Sequence, residues 1–340
     1  MPTQSNRGRR PQNRRSPNSR RRRRARRRRP FLTLFILLII AVAGYFGYAF
    51  ANPLLPITLE PGQGAVHFID VGQGDAVLIQ TTEGHVLIDG GDNHMGERVV
   101  GYLRDAGVRE LAYVIATHPH ADHIGGLIEV INTLPVGTLF MPNVTHTTQT
   151  FERFLDAIER NNIPLREPAP GSAFSVGEAV FTIIAPNSSG YANLNNYSVS
   201  LRMVLGDTSF IFTGDAEVQS ETEMILAGHM LYSDVLHVGH HGSSTSTTET
   251  FFNAVSPSIA VIQLAADNTY GHPHREVRER LSGIRVYRND EHGDIVMVTD
   301  GETITVRGAT LWRVWLTRLT QWIGSLTALP CVSVSRPVCA

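Results

Sequence analysis

One short segment, Thr117–His123 (THPHADH), constrains the fold of this chain more than any other. Three histidines and one aspartate lie within six of its positions. An apolar run, Leu111–Ala116, precedes them, and the residues that follow, Ile124–Leu134, have the apolar spacing of a helix. A strand that ends in a loop of imidazoles and a carboxylate brings several metal-ligating groups to one point. The spacing is too specific to follow from composition.

Two divalent ions fit these four polar side chains. His118 and His120 can bind one ion, while Asp122 and His123 turn toward a second, which is how a two-metal hydrolytic site is assembled. The alternative is a polar surface loop that is merely rich in histidine. The spacing favours the metal site.

Two later segments carry the groups that this loop lacks. The predicted strand Ser209–Thr213 ends at Asp215, and the predicted strand Asp234–Val238 ends at His240 and His241. A carboxylate and an imidazole would supply a bridging anion and a final nitrogen ligand. If the two histidines continue the strand, their side chains alternate and only one of them faces the metal. Both are retained as candidate ligands.

Taken together, these motifs resemble the metallo-β-lactamase superfamily and, within it, the soluble domain of ComEC-type competence proteins. The resemblance runs from about Ala65 to Val306. The segments that carry it are His67–Ile79 (HFIDVGQGDAVLI), Val86–Gly91 (VLIDGG), Asp234–Ser243 (DVLHVGHHGS) and Tyr270–His274 (YGHPH). It implies an α/β fold, a four-layer αβ/βα sandwich with the metals at one edge. It also implies metal-dependent hydrolysis, with phosphodiester bonds, including those of DNA, as the first candidates.

The resemblance also implies roles for individual side chains. Asp215 would bridge two ions, Zn²⁺ above all, and Asp122 would bind the second ion and steer the metal-activated hydroxide. A glycine followed by a histidine is the superfamily's usual strand ending, which favours His240 over His241 as the ligand. His272 would donate a hydrogen bond to the developing charge or protonate the leaving oxygen. The alternative for His272 is a loop residue without a catalytic part.

The chain departs from the superfamily pattern in one ligand. The superfamily supplies a third histidine to the first ion, but no histidine lies between His146 and His229 here. In its place the stretch NLNNYS offers Asn195, Asn196 and Ser198, which would support the ligands, contact the substrate or complete the first site. For the two asparagines the alternative is an ordinary turn that enters a strand. A first site that is one protein ligand short predicts one tightly held and one loosely held ion, and makes Mn²⁺ an alternative to Zn²⁺.

Supporting roles are predicted for two more residues. Asp89 ends the predicted strand Val86–Ile88, where it could accept a hydrogen bond from a metal-bound imidazole. A plain Asp-Gly-Gly turn is the alternative. Ser243 could donate to a phosphate, although Ser243–Thr250 more simply begins a capped helix. The glycine-rich segment around Asp75 lacks the strand and helix of a dinucleotide site, which excludes that function.

The N-terminal region determines the expected location of the enzyme. Residues 1–30 contain 14 arginines and no acidic residue, which predicts a disordered cytoplasmic tail. Residues 31–51 are uncharged and long enough to span a bilayer as a transmembrane or signal-anchor helix. The preceding arginines predict a single-pass membrane protein with its catalytic domain outside the cell. Cleavage near Ala51 would instead release a secreted enzyme.

The rest of the chain divides into three predicted parts. Residues 52–64 are a linker that contains proline and glycine, and residues 65–307 are the hydrolase domain. Residues 308–340 are an amphipathic tail with two cysteines, Cys331 and Cys339, whose pairing the sequence leaves open. No feature indicates an oligomeric state.

The charge balance limits the range of substrates. The chain has 30 basic and 31 acidic residues; without the 14 arginines of the tail, 16 basic residues face 31 acidic ones, a net charge of −15. Strong non-specific DNA binders are basic, so tight binding along duplex DNA is not expected. Short, single-stranded or non-nucleic phosphodiesters are therefore the candidate substrates.

Two other classes of function remain open at this point. An amide or ester hydrolase, similar to a lactamase or lactonase, could use the same fold, but the missing third histidine counts against it. A non-catalytic, metal-bound surface module is the other alternative. The intact set of candidate ligands in Thr117–His123 and at Asp215 counts against that.

Overall fold

The structure is a computed structural model that describes residues 33–44 and 56–307. The chain divides into two compact units, Met1–Pro53 and Leu54–Ala340. In the first unit, residues 33–44 form a helix, α1. Within the two described stretches, no helix is both long and apolar enough to cross a membrane. The predicted arginine-rich tail, the flanks of the predicted span at 31–51 and the predicted C-terminal tail lie outside the described residues.

Two mixed sheets form the body of the second unit. The strands of the first sheet are β1 Gly64–Phe68, β2 Val77–Thr81, β3 His85–Ile88, β4 Leu111–Ile115, β5 Val136–Phe140, β6 Leu165–Arg166, β14 Ile295–Thr299 and β15 Ile304–Arg307. Their order is β15-β14-β1-β2-β3-β4-β5-β6, and the strands from β3 to β6 are parallel.

The second sheet repeats this plan. Its strands are β7 Ala173–Val176, β8 Ala179–Ala185, β9 Ser200–Leu205, β10 Thr208–Phe212, β11 Val235–His237, β12 Ile259–Ile262 and β13 Arg285–Arg288. Their order is β13-β12-β11-β10-β9-β8-β7, and the strands from β10 to β13 are parallel. Each sheet therefore has one parallel half, whose strands end at a common edge.

Helices cover the outer face of each sheet. The α-helices of this unit are α2 Gly96–Asp105, α3 Ala121–Ile124, α4 Leu127–Thr133, α5 Gln149–Arg160, α6 Val218–Leu226, α7 Glu249–Val255, α8 Arg275–Arg280 and α9 Asn289–His292. The single helix predicted over Ile124–Leu134 is broken into α3 and α4 at a glycine pair. Gly126 is needed there because an added Cβ would lie 2.0 Å from the carbonyl oxygen of Gly90.

Three apolar cores lie between these four layers. Along β2, Val77 and Ile79 belong to the core between the sheets, whereas Leu78 belongs to the core under α2, α4 and α5. Along β10, Phe210 and Ile211 divide in the same way between the central core and the core under α6, α7 and α8. Strands buried on both faces read as continuous apolar runs. The four-layer αβ/βα sandwich expected from the sequence is confirmed.

Candidate metal centre

The candidate ligands meet where the parallel strands of both sheets end. The loop after β4 carries His118 and His120, and α3 carries Asp122 and His123. The turn after β10 carries Asp215. Because the carboxyl ends of parallel strands lie at one edge of a sheet, loops far apart in sequence come together there.

A first ligand group consists of His118, His120 and Asp215, whose potential ligand atoms all lie within 4.8 Å of one another. His118 Nε2 is 2.9 Å from His120 Nδ1 and 3.7 Å from Asp215 Oδ2. These are the residues that the sequence places on the first ion.

A second ligand group consists of Asp122, His123 and His241. Asp122 Oδ2 lies 3.9 Å from His123 Nε2 and 3.4 Å from His241 Nε2. The other oxygen of Asp215, Oδ1, lies 3.4 Å from His123 Nε2 and 3.7 Å from His241 Nε2. The Asp215 carboxylate therefore faces the first group with one oxygen and the second group with the other.

Divalent ions fit this donor set. His123 Nε2, His241 Nε2 and Asp215 Oδ1 are buried and have no hydrogen-bond partner. Each such atom costs roughly 1–3 kcal/mol unless something else satisfies it. Imidazole nitrogens and carboxylate oxygens are ligands of Zn²⁺ and Mn²⁺, and two ligands on one ion are at most about 4.2 Å apart. The separations given above, from 2.9 to 3.9 Å, satisfy that limit.

Asp89 orients one histidine of each ligand group, His123 directly and His118 through the hydroxyl of Thr117. Its Oδ2 accepts a hydrogen bond from His123 Nδ1 at 2.8 Å, so the contact with an imidazole that was expected of Asp89 is present. The same carboxylate accepts from the backbone N–H and the hydroxyl of Thr117 at 2.8 and 2.7 Å. The Thr117 hydroxyl in turn lies 3.0 Å from His118 Nδ1. With Nδ1 engaged, the Nε2 atom of His123 is left for an ion.

Two residues that orient His241 were missed by the sequence analysis. His241 Nδ1 donates to the backbone oxygen of Gln263 at 3.0 Å and lies 3.3 Å from Asp75 Oδ1. Asp75 is buried, and its backbone N–H donates to the backbone carbonyl oxygen of Asp122. The glycine-rich segment before Asp75 allows this approach, because a Cβ on Gly74 would lie 2.3 Å from that oxygen. In the sequence, the signal for this role of Asp75 is an acidic residue next to glycines.

The expectation that strand alternation governs His240 and His241 is wrong. Strand β11 ends at His237, so side-chain alternation does not extend to these residues. Both have left-handed backbone angles, with φ of 51° and 53°. His241 joins the second ligand group, whereas His240 Nε2 lies 3.6 Å from Asp215 Oδ2, the oxygen that faces the first group. The preference for His240 over His241 at the second ion is also wrong.

The polar side chains of the asparagine-rich stretch form hydrogen bonds with protein groups around the two ligand groups. Asn196 Oδ1 accepts hydrogen bonds from the backbone N–H groups of Glu217 and Ser220, both at 3.2 Å, so its two lone pairs cap α6 and none remains for an ion. Ser198 Oγ accepts from the N–H of Asp215 at 3.0 Å and lies 3.3 Å from His118 Nδ1. Asn195 donates from Nδ2 to Glu217 Oε1 at 3.1 Å.

The remaining predicted residues, His272 and Ser243, lie outside the two ligand groups. His272 is partly buried, and its ring centroid is 5.8 Å from that of His240. Ser243 Oγ is 3.0 Å from Thr245 Oγ1 and accepts from the Thr245 N–H, so its hydroxyl serves a local turn. An unpredicted imidazole, His146, lies with its ring centroid 5.7 Å from that of His120.

The two ligand groups also differ in electrostatics. Burial opposes a charge on His123, but Asp215, Asp122 and Asp89 outweigh it and hold its pKa well above the ordinary value. His241 is raised in pKa in the same way, against burial, by Asp215 and Asp75. The pKa of His118 and that of His120 are lowered, first by burial and then by the charge on His123.

The fold and this site together define the class of the protein. A family model described as the metallo-beta-lactamase superfamily matches residues 69–265. The chain therefore belongs to the metallo-beta-lactamase superfamily, and its fold and donor set are those of a metal-dependent hydrolase.

Curated relatives narrow the resemblance further. The chain is 32% identical over 253 residues to ComE operon protein 3 of Bacillus subtilis, an alignment that covers 68% of this chain and 33% of that protein. It is 30% identical to competence protein ComA of Neisseria gonorrhoeae, covering 75% of this chain and 34% of that protein. Recombination protein 2 of Haemophilus influenzae is 31% identical, covering 64% and 26%. The resemblance to ComEC-type proteins is thus confirmed, and the chain spans about a third of these relatives' length or less.

Proposed function

We propose that the protein is a phosphodiesterase that uses two divalent ions, Zn²⁺ or Mn²⁺, and acts on nucleic acid. The observation that carries the proposal is the pair of ligand groups on opposite oxygens of Asp215. Two neighbouring ions in such a site activate a water molecule at neutral pH and offset the charge of the phosphoryl oxygens.

Two side chains are positioned to assist this reaction. The side chain of Asp122 is 32% exposed, so its carboxylate is accessible to solvent although it belongs to the second ligand group. Against the effect of burial, His123 and His241 hold the pKa of Asp122 below its usual range, and the ionised carboxylate can accept a hydrogen bond from the attacking water.

His272 has a different role in this proposal. Burial and the nearby imidazoles of His241, His274 and His240 lower its pKa to about 4, so its ring is neutral at pH 7. A neutral imidazole donates a hydrogen bond to developing negative charge but does not carry an extra proton for the leaving group. Of the two roles expected for His272, we therefore propose the hydrogen-bond donor.

The choice of nucleic acid rests on the relatives and on charge. The names of two relatives refer to competence and to recombination, processes that involve DNA. Outside the arginine-rich tail, 16 basic residues face 31 acidic ones, a net charge of −15, which disfavours tight binding to long duplexes. We propose single-stranded or short DNA as the substrate. We also propose that residues 31–51 anchor the enzyme in the membrane, with the site outside the cell.

The test is an activity screen on the purified full-length protein with added Zn²⁺ or Mn²⁺. We expect hydrolysis of bis-p-nitrophenyl phosphate and of single-stranded DNA, and weaker hydrolysis of plasmid, RNA and a cyclic dinucleotide. Asp122→Ala is the matched control and should abolish all of it. A folded, metal-loaded protein that hydrolyses β-lactams or lactones but no phosphodiester would overturn the proposal in favour of the amide or ester hydrolase.

A further inference from the structure

The first ligand group lacks the third imidazole that the superfamily pattern supplies, and His240 approaches the Asp215 carboxylate of that group. Its Nε2 lies 3.6 Å from Asp215 Oδ2, the same oxygen that His118 Nε2 approaches to 3.7 Å. Both imidazoles therefore approach the oxygen of Asp215 that faces the first ligand group. His241, one residue later, approaches the other oxygen.

The contacts of His240 favour the tautomer with an unprotonated Nε2, which is the form that binds a metal. Nδ1 lies 3.3 Å from Glu217 Oε1 and 3.1 Å from Thr245 Oγ1, so an acceptor is present for a proton on Nδ1. Nε2 lies 3.5 Å from the amide nitrogen of Asn195, which is a donor. A proton on Nδ1 and none on Nε2 satisfies both neighbours. A carboxylate behind Nδ1 is also the usual support of a metal-bound histidine.

Glu217 is itself held by the stretch that replaces the missing histidine. Its carboxylate accepts from Asn193 Nδ2 at 2.9 Å, from Asn195 Nδ2 at 3.1 Å and from Thr245 Oγ1 at 3.1 Å. Its backbone N–H is fixed by Asn196. Asn196 is therefore not a ligand, whereas the side-chain NH2 groups of Asn193 and Asn195 donate to Glu217. They position the carboxylate that orients His240.

We propose that His240, oriented by Glu217, is the third imidazole ligand of the first ion. The inference rests on the two-ion hydrolase proposed above. His240 is not part of the compact group His118, His120 and Asp215, and its side chain is 23% exposed. Because this imidazole is partly exposed and outside the compact group, we expect the first ion to be held less tightly than the second. Consecutive histidines thus serve different ions.

The experiment compares Zn²⁺ binding to the full-length protein, by titration calorimetry and metal analysis, for His240→Asn and His241→Asn. Asparagine tolerates the left-handed backbone of both positions. We expect two ions in the unaltered protein, loss of only the weaker ion in His240→Asn, and loss of the tighter ion in His241→Asn. Two ions of unchanged affinity in His240→Asn would overturn the assignment, as would fewer than two ions in the unaltered protein.

A second variant covers the case in which His240→Asn does not fold, as judged by circular dichroism. Glu217→Gln leaves both histidines in place and should weaken the first ion by roughly 10–100-fold without affecting the second. Unchanged affinity for the first ion in Glu217→Gln would overturn the assignment. A protein that binds two ions as expected but hydrolyses no phosphodiester would refute the proposed function and leave His240 as a ligand.

Discussion

The two ligand groups share one carboxylate but are held in different ways. In the second group, His123 Nδ1 donates to the buried carboxylate of Asp89 and His241 Nδ1 to the backbone oxygen of Gln263. In the first group, His118 Nδ1 contacts only hydroxyls, those of Thr117 and Ser198. A carboxylate or a backbone oxygen next to a strand fixes the orientation of an imidazole more firmly than a rotatable hydroxyl.

This comparison shows how one sandwich can build two unequal sites at one edge. The second site is oriented before any ion binds, because its acceptors belong to the rigid strand ends. The first site depends on His240, which lies on a partly exposed turn and is supported by Glu217. We therefore expect a tightly held second ion and a more loosely held first ion. The following predictions test that difference, from the largest effect to the smallest.

Removal of a ligand from either group should have the largest effect. His123→Ala should lose the tighter ion and His118→Ala only the weaker one, while both abolish hydrolysis because the reaction needs two ions. The loss in rate should exceed the roughly 10–100-fold that a lost supporting hydrogen bond costs. Metal analysis after dialysis and turnover of bis-p-nitrophenyl phosphate check this. Two equivalent tight sites in the unaltered protein would contradict the comparison.

Loss of a supporting hydrogen bond should reveal the same asymmetry on a smaller scale. Asp89→Asn should weaken the tighter ion by about 10–100-fold, because an amide supports the His123 imidazole less well than a carboxylate. Ser198→Ala should weaken only the first ion, and by less, because Thr117 still contacts His118. Titration calorimetry with Zn²⁺ measures both effects. The comparison fails if Ser198→Ala weakens the second ion more than the first.

Proton release should distinguish the two ions at neutral pH. The raised pKa values of His123 and His241 mean that both are positively charged imidazolium groups at pH 7 before metal binds. A histidine that binds a metal must be neutral, so each one loses a proton. Affinity for the second ion should therefore rise with pH by up to about tenfold per pH unit for each proton released. The lowered pKa values of His118 and His120 mean that both are already neutral, so affinity for the first ion should change little above pH 6.5.

Calorimetry in two buffers of different ionisation enthalpy measures this release directly. The apparent enthalpy of the tighter ion should depend on the buffer, and that of the weaker ion should not. Equal proton release for both ions would show that the carboxylates around His123 do not act as the structure indicates.

The smallest effect is expected from Asn196→His. A histidine at this position would restore an imidazole to the stretch where the superfamily has one. The structure instead uses Asn196 Oδ1 to cap α6, so we expect about 1 kcal/mol of lost stability and no tighter first ion. Urea unfolding and zinc titration check the two halves of this prediction. A tightened first ion would mean that the stretch can reorient toward the metal.

Much of this site could be predicted because its ligands follow local patterns. His118, His120, Asp122 and His123 occupy a single loop and the short helix α3, so their spacing alone brings them together. Asp215 and Asp89 each end an apolar run, and a polar residue at the end of a buried strand lies at the sheet edge. The αβ/βα sandwich was predicted because the motifs that carry these ligands resemble those of the superfamily.

The sequence alone therefore determined the fold class, the family and the kinds of ligand. Only the tertiary structure decided which ion each of the adjacent histidines His240 and His241 faces, because that depends on a left-handed turn with no sequence periodicity. It also decided that Asp75 contacts His241 and Glu217 contacts His240, because each acid lies in a loop that follows a different strand from the one before the two histidines. Spacing encodes contacts within a loop or along a strand. Contacts between distant loops exist only once the two sheets have packed.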